Sequence, residues 1–270
     1  MPLFHLLLIA VIQGITEFLP ISSSGHLILL TQMPGMDAQG IVLDVAVHVG
    51  TLFAVVLYFW SDVRSALAGT GRRLRGKIDT QGAWLALCLA IATVPVILCG
   101  IAIKLSGFDE ALRSITVIGW TMLLFGLVLY WADQNSPATR ETKDWSLKHA
   151  AIMGLWQAIA LIPGTSRSGS TMTGGRFLGY TREEAARLSM LMSIPTIAAS
   201  GLVLGVDVIG VSDWSLARDA LIAAAFAFIS ALIALALKMH ILKTVSFTPY
   251  VIYRVILGII LLVLAYGYGW

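Results

Sequence analysis

From Trp84 to Ile103 the chain runs for twenty residues without a charge. A helix of that length covers about 30 Å, the thickness of a bilayer's hydrocarbon core. Inside lipid no water is present to satisfy backbone groups, so an uninterrupted span must be helical or belong to a closed barrel. Comparable stretches occupy Val45–Trp60, Ser114–Ala132, Leu188–Val206, Ala220–Leu237 and Tyr250–Tyr268, the last carrying Arg254. The apolar runs are continuous, whereas a barrel needs short alternating segments. Only 12% of the residues are charged, about half the share found in soluble domains. The chain therefore reads as an all-α polytopic membrane protein. Its net charge of +3 is spread over short loops and forms no nucleic-acid patch. Cys88 and Cys99 share one apolar run and read as buried thiols, not a disulfide. The opening MPLFHLLLIAVIQG lacks a basic leader and reads as part of the mature protein.

Two further apolar segments are broken in the middle. Leu3–Leu30 is interrupted at FLPISSSGH, and His149–Leu178 at LIPGTSRSGST. A proline, a serine-rich patch and a glycine in mid-segment predict two helical hairpins that enter the membrane and turn back. Such backbone is tolerated at membrane depth only where protein or a wet cavity surrounds it. The interruptions resemble each other: Leu19–Gly25 reads LPISSSG, Ile162–Gly169 reads IPGTSRSG, and Gln13 and Gln157 precede them at similar distances. Three spans follow each. An odd number of crossings per half inverts the second half, so the expected plan is six spanning helices plus two re-entrant hairpins in an inverted repeat, with halves 1–135 and 146–270. In that plan paired broken helices mark the binding site.

The basic residues orient this plan. One side collects Arg64, Arg72, Arg73, Arg75, Lys77, Arg140, Lys143, Lys148, Arg176, Arg182, Lys238 and Lys243. The other holds Lys104, Arg113 and Arg218. The crowded side is expected in the cytoplasm. Both termini and the mouth of the first hairpin then face outward, and the two tips meet near the midplane. Trp60, Trp131 and Trp270, near span ends, fit an aromatic belt.

The tips carry the chemistry. Gln13 and Glu17, four residues apart, share a helix face. Pro20 ends that helix, Ser22, Ser23, Ser24 and Gly25 form the turn, and His26 begins the return. A carboxylate inside a membrane segment costs about 2.5–3.5 kcal/mol on insertion scales, and such a group is functional or paired. The second tip offers Ser166, Arg167 and Thr171. Guanidinium is a planar fork suited to phosphate oxygens, and N–H groups at a helix start favour anions. The bland alternatives are a structural Glu17–His26 pair and an Arg167 that only neutralises Glu17. Gly164-x4-Gly169-Ser170-Thr171 lacks the lysine of a nucleotide-binding loop. A carboxylate, an imidazole, hydroxyls and an arginine in one buried place suit phosphoryl transfer. The expected roles are Ser23 as nucleophile, with water or His26 as the other candidates, and His26 as general acid/base. Glu17 orients His26 or binds a metal together with Gln13. Arg167 holds the terminal phosphate, and Gln13, Ser22, Ser24, Ser166 and Thr171 support it. His48 reads as an interface histidine, with the edge of the pocket as the alternative, and Arg254 as paired internally or near an interface, with substrate contact as the alternative.

QGITEFLPISSSGH and PGTSRSGST resemble the two signature segments of the undecaprenyl-diphosphatase, or bacitracin-resistance, family, and LDVAVHVGTLFAVV and SFTPYVIYR extend the resemblance. The resemblance implies removal of one phosphate from undecaprenyl diphosphate at the outer face of a bacterial inner membrane, recycling the carrier lipid for peptidoglycan. It also implies the fold above, a homodimer, and a divalent cation, Mg2+ or Ca2+. Glu17 matches the second acidic position of the first motif, and Gln13 stands where many members have Glu. Ser22, Ser23, Ser24 and His26 match the serine-rich loop, and Ser166, Arg167 and Thr171 the second motif. Phosphatidic-acid phosphatases of the second type need a histidine shortly after Ser-Arg, and here none follows Arg167 before His240. The alternative from another class is a lipid-phosphate transporter using the same site.

Overall fold

A computed structural model describes residues 3–31, 40–73, 76–112, 114–206 and 214–268. Arg75, Arg113 and Trp270 lie outside them. The described residues form helices α1 (Leu3–Phe18), α2 (Ser23–Thr31), α3 (Ile41–Tyr58), α4 (Trp60–Arg73), α5 (Gln81–Ser106), α6 (Asp109–Leu112), α7 (Ile115–Asn135), α8 (Leu147–Ile159), α9 (Arg167–Phe177), α10 (Arg182–Val206), α11 (Trp214–Ile241) and α12 (Thr248–Tyr268).

Six of these, α3, α5, α7, α10, α11 and α12, are long and apolar enough to cross a membrane, and they coincide with the six predicted spans. Local signals set their ends. Thr80 and Ser114 cap α5 and α7 by accepting from Ala83 and Val117 N–H, and Gly107 closes α5 in the left-handed region, φ 70°. Pro95 and Pro195 lie inside α5 and α10, as membrane helices tolerate. Cys88 is buried, but Cys99 is exposed, on the outer face of the same helix, and both are free.

The two broken segments give four shorter helices. α1 has 16 residues, α2 nine, α8 thirteen and α9 eleven, so none alone reaches the about 30 Å of a bilayer core. α1 packs on α2 and α8 on α9, while α1 also lies along α11 and α8 along α5. The close approaches use glycine. A Cβ on Gly14 would stand 2.0 Å from Ser230 Oγ and 2.7 Å from the Ala227 carbonyl, and one on Gly154 2.6 Å from the Ala92 carbonyl. Without a hydrophobic drive between helices in lipid, this tight backbone contact holds them together. A core of Phe18, Met153, Met172, Leu188, Met192 and Leu235 joins the halves.

At one end, buried Asp133 pairs with Arg182 at 2.7 Å and Arg176 at 3.3 Å, and accepts from Phe247 N–H at 3.2 Å. Two residues counted as loop cations are therefore not solvated: Arg176 is 2% exposed, and Lys238 is 1% exposed within α11. The chain kept their charges inside because backbone carbonyls and Asp133 receive them.

Gly14→Val is expected to force α1 off α11 and to cost about 1–3 kcal/mol, read as a lower unfolding temperature of the detergent-solubilised protein.

Candidate active site at the paired tips

Each tip turns on a strained serine. Ser22 and Ser166 have φ of 69° and 70°, a sparsely populated backbone conformation costing about 1–3 kcal/mol for a residue with a side chain. Each immediately precedes a helix, α2 or α9, and throws the chain from one short helix into the next. The parallel continues outward: Ser22 Oγ meets Ser24 Oγ at 3.0 Å, and Ser166 Oγ meets Ser168 Oγ at 3.2 Å. Ser23 and Arg167 hold matching positions, first in their helices.

The tips meet. Gly164 N–H donates to Ser24 Oγ at 3.2 Å, and Ser168 Oγ donates to the Leu19 carbonyl at 2.8 Å. Arg167 Nη2 donates to Glu17 Oε1 at 2.7 Å, with the side chains 16% and 8% exposed. Glu17 Oε2 accepts from Gln13 Nε2 at 2.9 Å and, at 3.5 Å, from Ser23 Oγ. Arg167 Nη1 is buried without a partner. A cavity of about 300 Å³ lies here, lined by Glu17, Ser22, Ser23, Ser24, His48, Gly164, Ser166 and Arg167 among others. Next to it a second cavity, about 190 Å³, shares Glu17, His48 and Arg167 but is otherwise walled mainly by Val45, Val96, Leu161, Ile197 and Leu204.

Several expected residues stand elsewhere. His26 Nδ1 lies 2.7 Å from the Ser22 carbonyl and its Nε2 2.5 Å from the Tyr253 hydroxyl. A carbonyl only accepts, so Nδ1 carries the proton of the neutral ring, and Nε2 accepts from Tyr253. The expected pairing of His26 with Ser23 and Glu17 is thus replaced. One turn into α2, the ring is drawn back along its own helix and stacks on Tyr253, with ring planes 1° apart. The nearest base to Ser23 is Glu17 itself. Thr171, expected to bind phosphate, is fully buried and donates to the Arg167 carbonyl at 2.8 Å, facing Ser189 Oγ at 2.6 Å. It braces α9 under Arg167.

His48 belongs to the site. Its Nδ1–H donates to the Asp44 carbonyl at 2.7 Å, leaving Nε2 to accept from Gln13 Nε2 at 3.2 Å. Gln13 thus bridges His48 and Glu17. The signal was available: a single imidazole in the otherwise uncharged run Val45–Trp60 is a polar outlier. Tyr253 left no such trace, because only packing brings α12 to α2.

For a divalent cation the donor set is small. Among the described residues no cluster of three His, Cys, Asp or Glu side chains forms a cage. The Gln13 carbonyl oxygen, however, is buried without a partner, beside the Glu17 carboxylate. Magnesium commonly takes one or two carboxylates and completes its shell with water and substrate phosphate. Glu17 and Gln13 fit a cation that arrives on a diphosphate.

With that geometry in view, the sequence matches the family described as bacitracin resistance protein BacA over residues 6–260. The chain belongs to this family. It is 70% identical over 267 residues to the undecaprenyl-diphosphatase of Dinoroseobacter shibae, covering 99% of this chain and 100% of the relative. It is 66% identical, with the same coverage, to that of Roseobacter denitrificans. To that of Maricaulis maris it is 45% identical over 266 residues, covering 97% of this chain and 99% of the relative. Family membership and six candidate spans make it a multi-pass membrane protein.

Arg167→Lys keeps a charge but loses the fork that reaches Glu17 and still offers a free N–H. A drop in kcat of about 100–1,000-fold is expected, the worth of one oxyanion-type donor, measured by phosphate release from a lipid diphosphate.

Proposed function

We propose that this protein hydrolyses undecaprenyl diphosphate to undecaprenyl phosphate and inorganic phosphate, returning the carrier lipid to cell-wall synthesis. One observation carries the reading. A buried arginine that lines the cavity holds a carboxylate with one nitrogen and has no partner for another, and a serine of the same cavity stands beside that carboxylate. The names of the relatives agree with it.

In the proposed reaction the terminal phosphate lies against Arg167 Nη1 and the first N–H groups of α2 and α9, where the helix dipoles favour an anion. Ser23 Oγ attacks the terminal phosphorus as its proton passes to Glu17 Oε2. The bond from phosphorus to the bridging oxygen breaks, and the lipid monophosphate leaves with that electron pair. Glu17 passes the serine proton to the departing lipid phosphate, then takes one from the water that attacks the phosphoserine and returns it to Ser23 Oγ as inorganic phosphate leaves. A divalent cation held by Glu17 and the Gln13 carbonyl would neutralise charge on the diphosphate. His26, tied to Ser22 and Tyr253, holds the strained turn that aims Ser23. The apolar cavity beside the site accepts the first isoprene units.

Purified protein should release phosphate from undecaprenyl diphosphate. Binding or transbilayer movement without release would establish the transporter reading instead. Ser23→Ala and Glu17→Gln should each lower turnover by several orders of magnitude, and the double variant should be no worse than the slower single one, because groups acting as one unit are non-additive. Multiplying effects would separate serine from carboxylate.

The site is proposed to open to the outer face, on the strength of the basic loop around Arg72 and Lys77. With Cys88 and Cys99 replaced, Lys104→Cys in intact cells should react with an impermeant maleimide and Lys77→Cys should not. The reverse pattern would invert the topology.

A further inference from the structure

α1 ends in the middle of the protein, and its last carbonyls need donors. Three consecutive ones find them on three different helices. Phe18 accepts from Lys238 Nζ of α11 at 3.1 Å, Leu19 from Ser168 Oγ of α9 at 2.8 Å, and Pro20 from Arg254 Nη1 of α12 at 3.3 Å. Arg254 also donates to the Gly164 and Thr165 carbonyls of the other tip, at 3.1 and 2.9 Å. Lys238 is 1% exposed and Arg254 is not exposed at all. Neither is in an ion pair with a carboxylate among the described residues. Glu17 and Arg167 cancel each other, so Arg254 and a protonated Lys238 are buried cations whose partners are carbonyl dipoles alone.

The electrostatic sense follows from the order of the elements. A helix carries about half a negative charge at its C-terminus and half a positive charge at its N-terminus. At the first tip the end of α1 and the start of α2 are five residues apart, so the negative end offsets the positive one that faces the cavity. A cation on the Phe18 carbonyl removes that offset. We propose that Lys238 is a positioning residue that masks the carbonyl end of α1 and so biases the site toward a diphosphate over the monophosphate product. The proposal rests on the diphosphatase reading. Lys238 is not among the residues lining the cavity; it acts through the helix end it covers. A lipid diphosphate has three ionisable oxygens and its product two, so a fixed buried charge favours substrate and helps the product leave.

If Lys238 only satisfies a carbonyl, any neutral donor would serve. Lys238→Gln supplies that donor without the charge, Lys238→Arg keeps both, and Lys238→Met removes both in a shape suited to a membrane helix. The measurements are KM for undecaprenyl diphosphate and inhibition by undecaprenyl phosphate, on protein with a checked unfolding temperature. Lys238→Gln should raise KM about tenfold, as expected for losing one unit charge near a poorly screened site, and more than it lowers kcat. It should weaken inhibition by the monophosphate several-fold less, and Lys238→Arg should restore the wild-type ratio. An unchanged ratio in Lys238→Gln, or equal loss toward both lipids, would overturn the proposal. If Lys238→Gln does not fold, the ratio of the two lipids in Lys238→Met decides, because loss of a carbonyl donor alone would weaken both lipids equally. If the wild type releases no phosphate, the diphosphatase reading fails on its own, and equilibrium binding of the two lipids to wild type and variant still decides the role of Lys238.

Discussion

The 2.7 Å contact between Arg167 and Glu17 joins two tips that the chain keeps 150 residues apart. A buried ion pair is weak evidence for stability in itself, yet losing one partner strands the other at a cost of about 3–5 kcal/mol. Around it the serines, Gln13 and His48 find their places. Glu17 spreads its two oxygens between the arginine and the Gln13–Ser23 side. The same pair is also incomplete, because the second guanidinium nitrogen has no partner. Stability and function therefore compete for one side chain: the arginine that closes the hairpin interface must still face a phosphate.

The fold was legible wherever length and punctuation decide it. The six spans follow from apolar runs long enough to cross lipid, and their ends lie within a few residues of the predicted ones, except at α10 and α11, whose helices extend further into polar residues such as Glu183, Glu184 and Arg218. The breaks at Pro20 and Pro163 were legible because each proline is followed by a cluster of serines and glycine in the middle of an apolar run, a loop signal that Pro95 and Pro195 lack. Glu17 and Arg167 stood out because charge in such segments is costly. Side-chain direction did not show. His26 lies three residues from Ser23 in the sequence, but a bond back to Ser22 turns its ring toward Tyr253. Lys238 was read as a loop cation because it closes an apolar run, and only the position of the Phe18 carbonyl reveals why it points inward.

The bridging amide of Gln13 shows how a small change in one side chain is absorbed. With an amide there, the site holds one carboxylate, and the Gln13 N–H faces His48 Nε2. An acid at position 13 would ask the imidazole to donate instead. The two positions are chemically coupled through a single proton, although they sit on different helices.

The bonds between the tips have a consequence for biogenesis. Glu17, Leu19 and Ser24 are satisfied by Arg167, Ser168 and Gly164. During synthesis the first broken segment is made before any of those residues has left the ribosome. For more than a hundred residues of elongation its carboxylate and open carbonyls depend on water or on the insertion machinery. The first hairpin is thus an unfinished half that the second completes, and chains truncated before the second motif should be targets for membrane quality control.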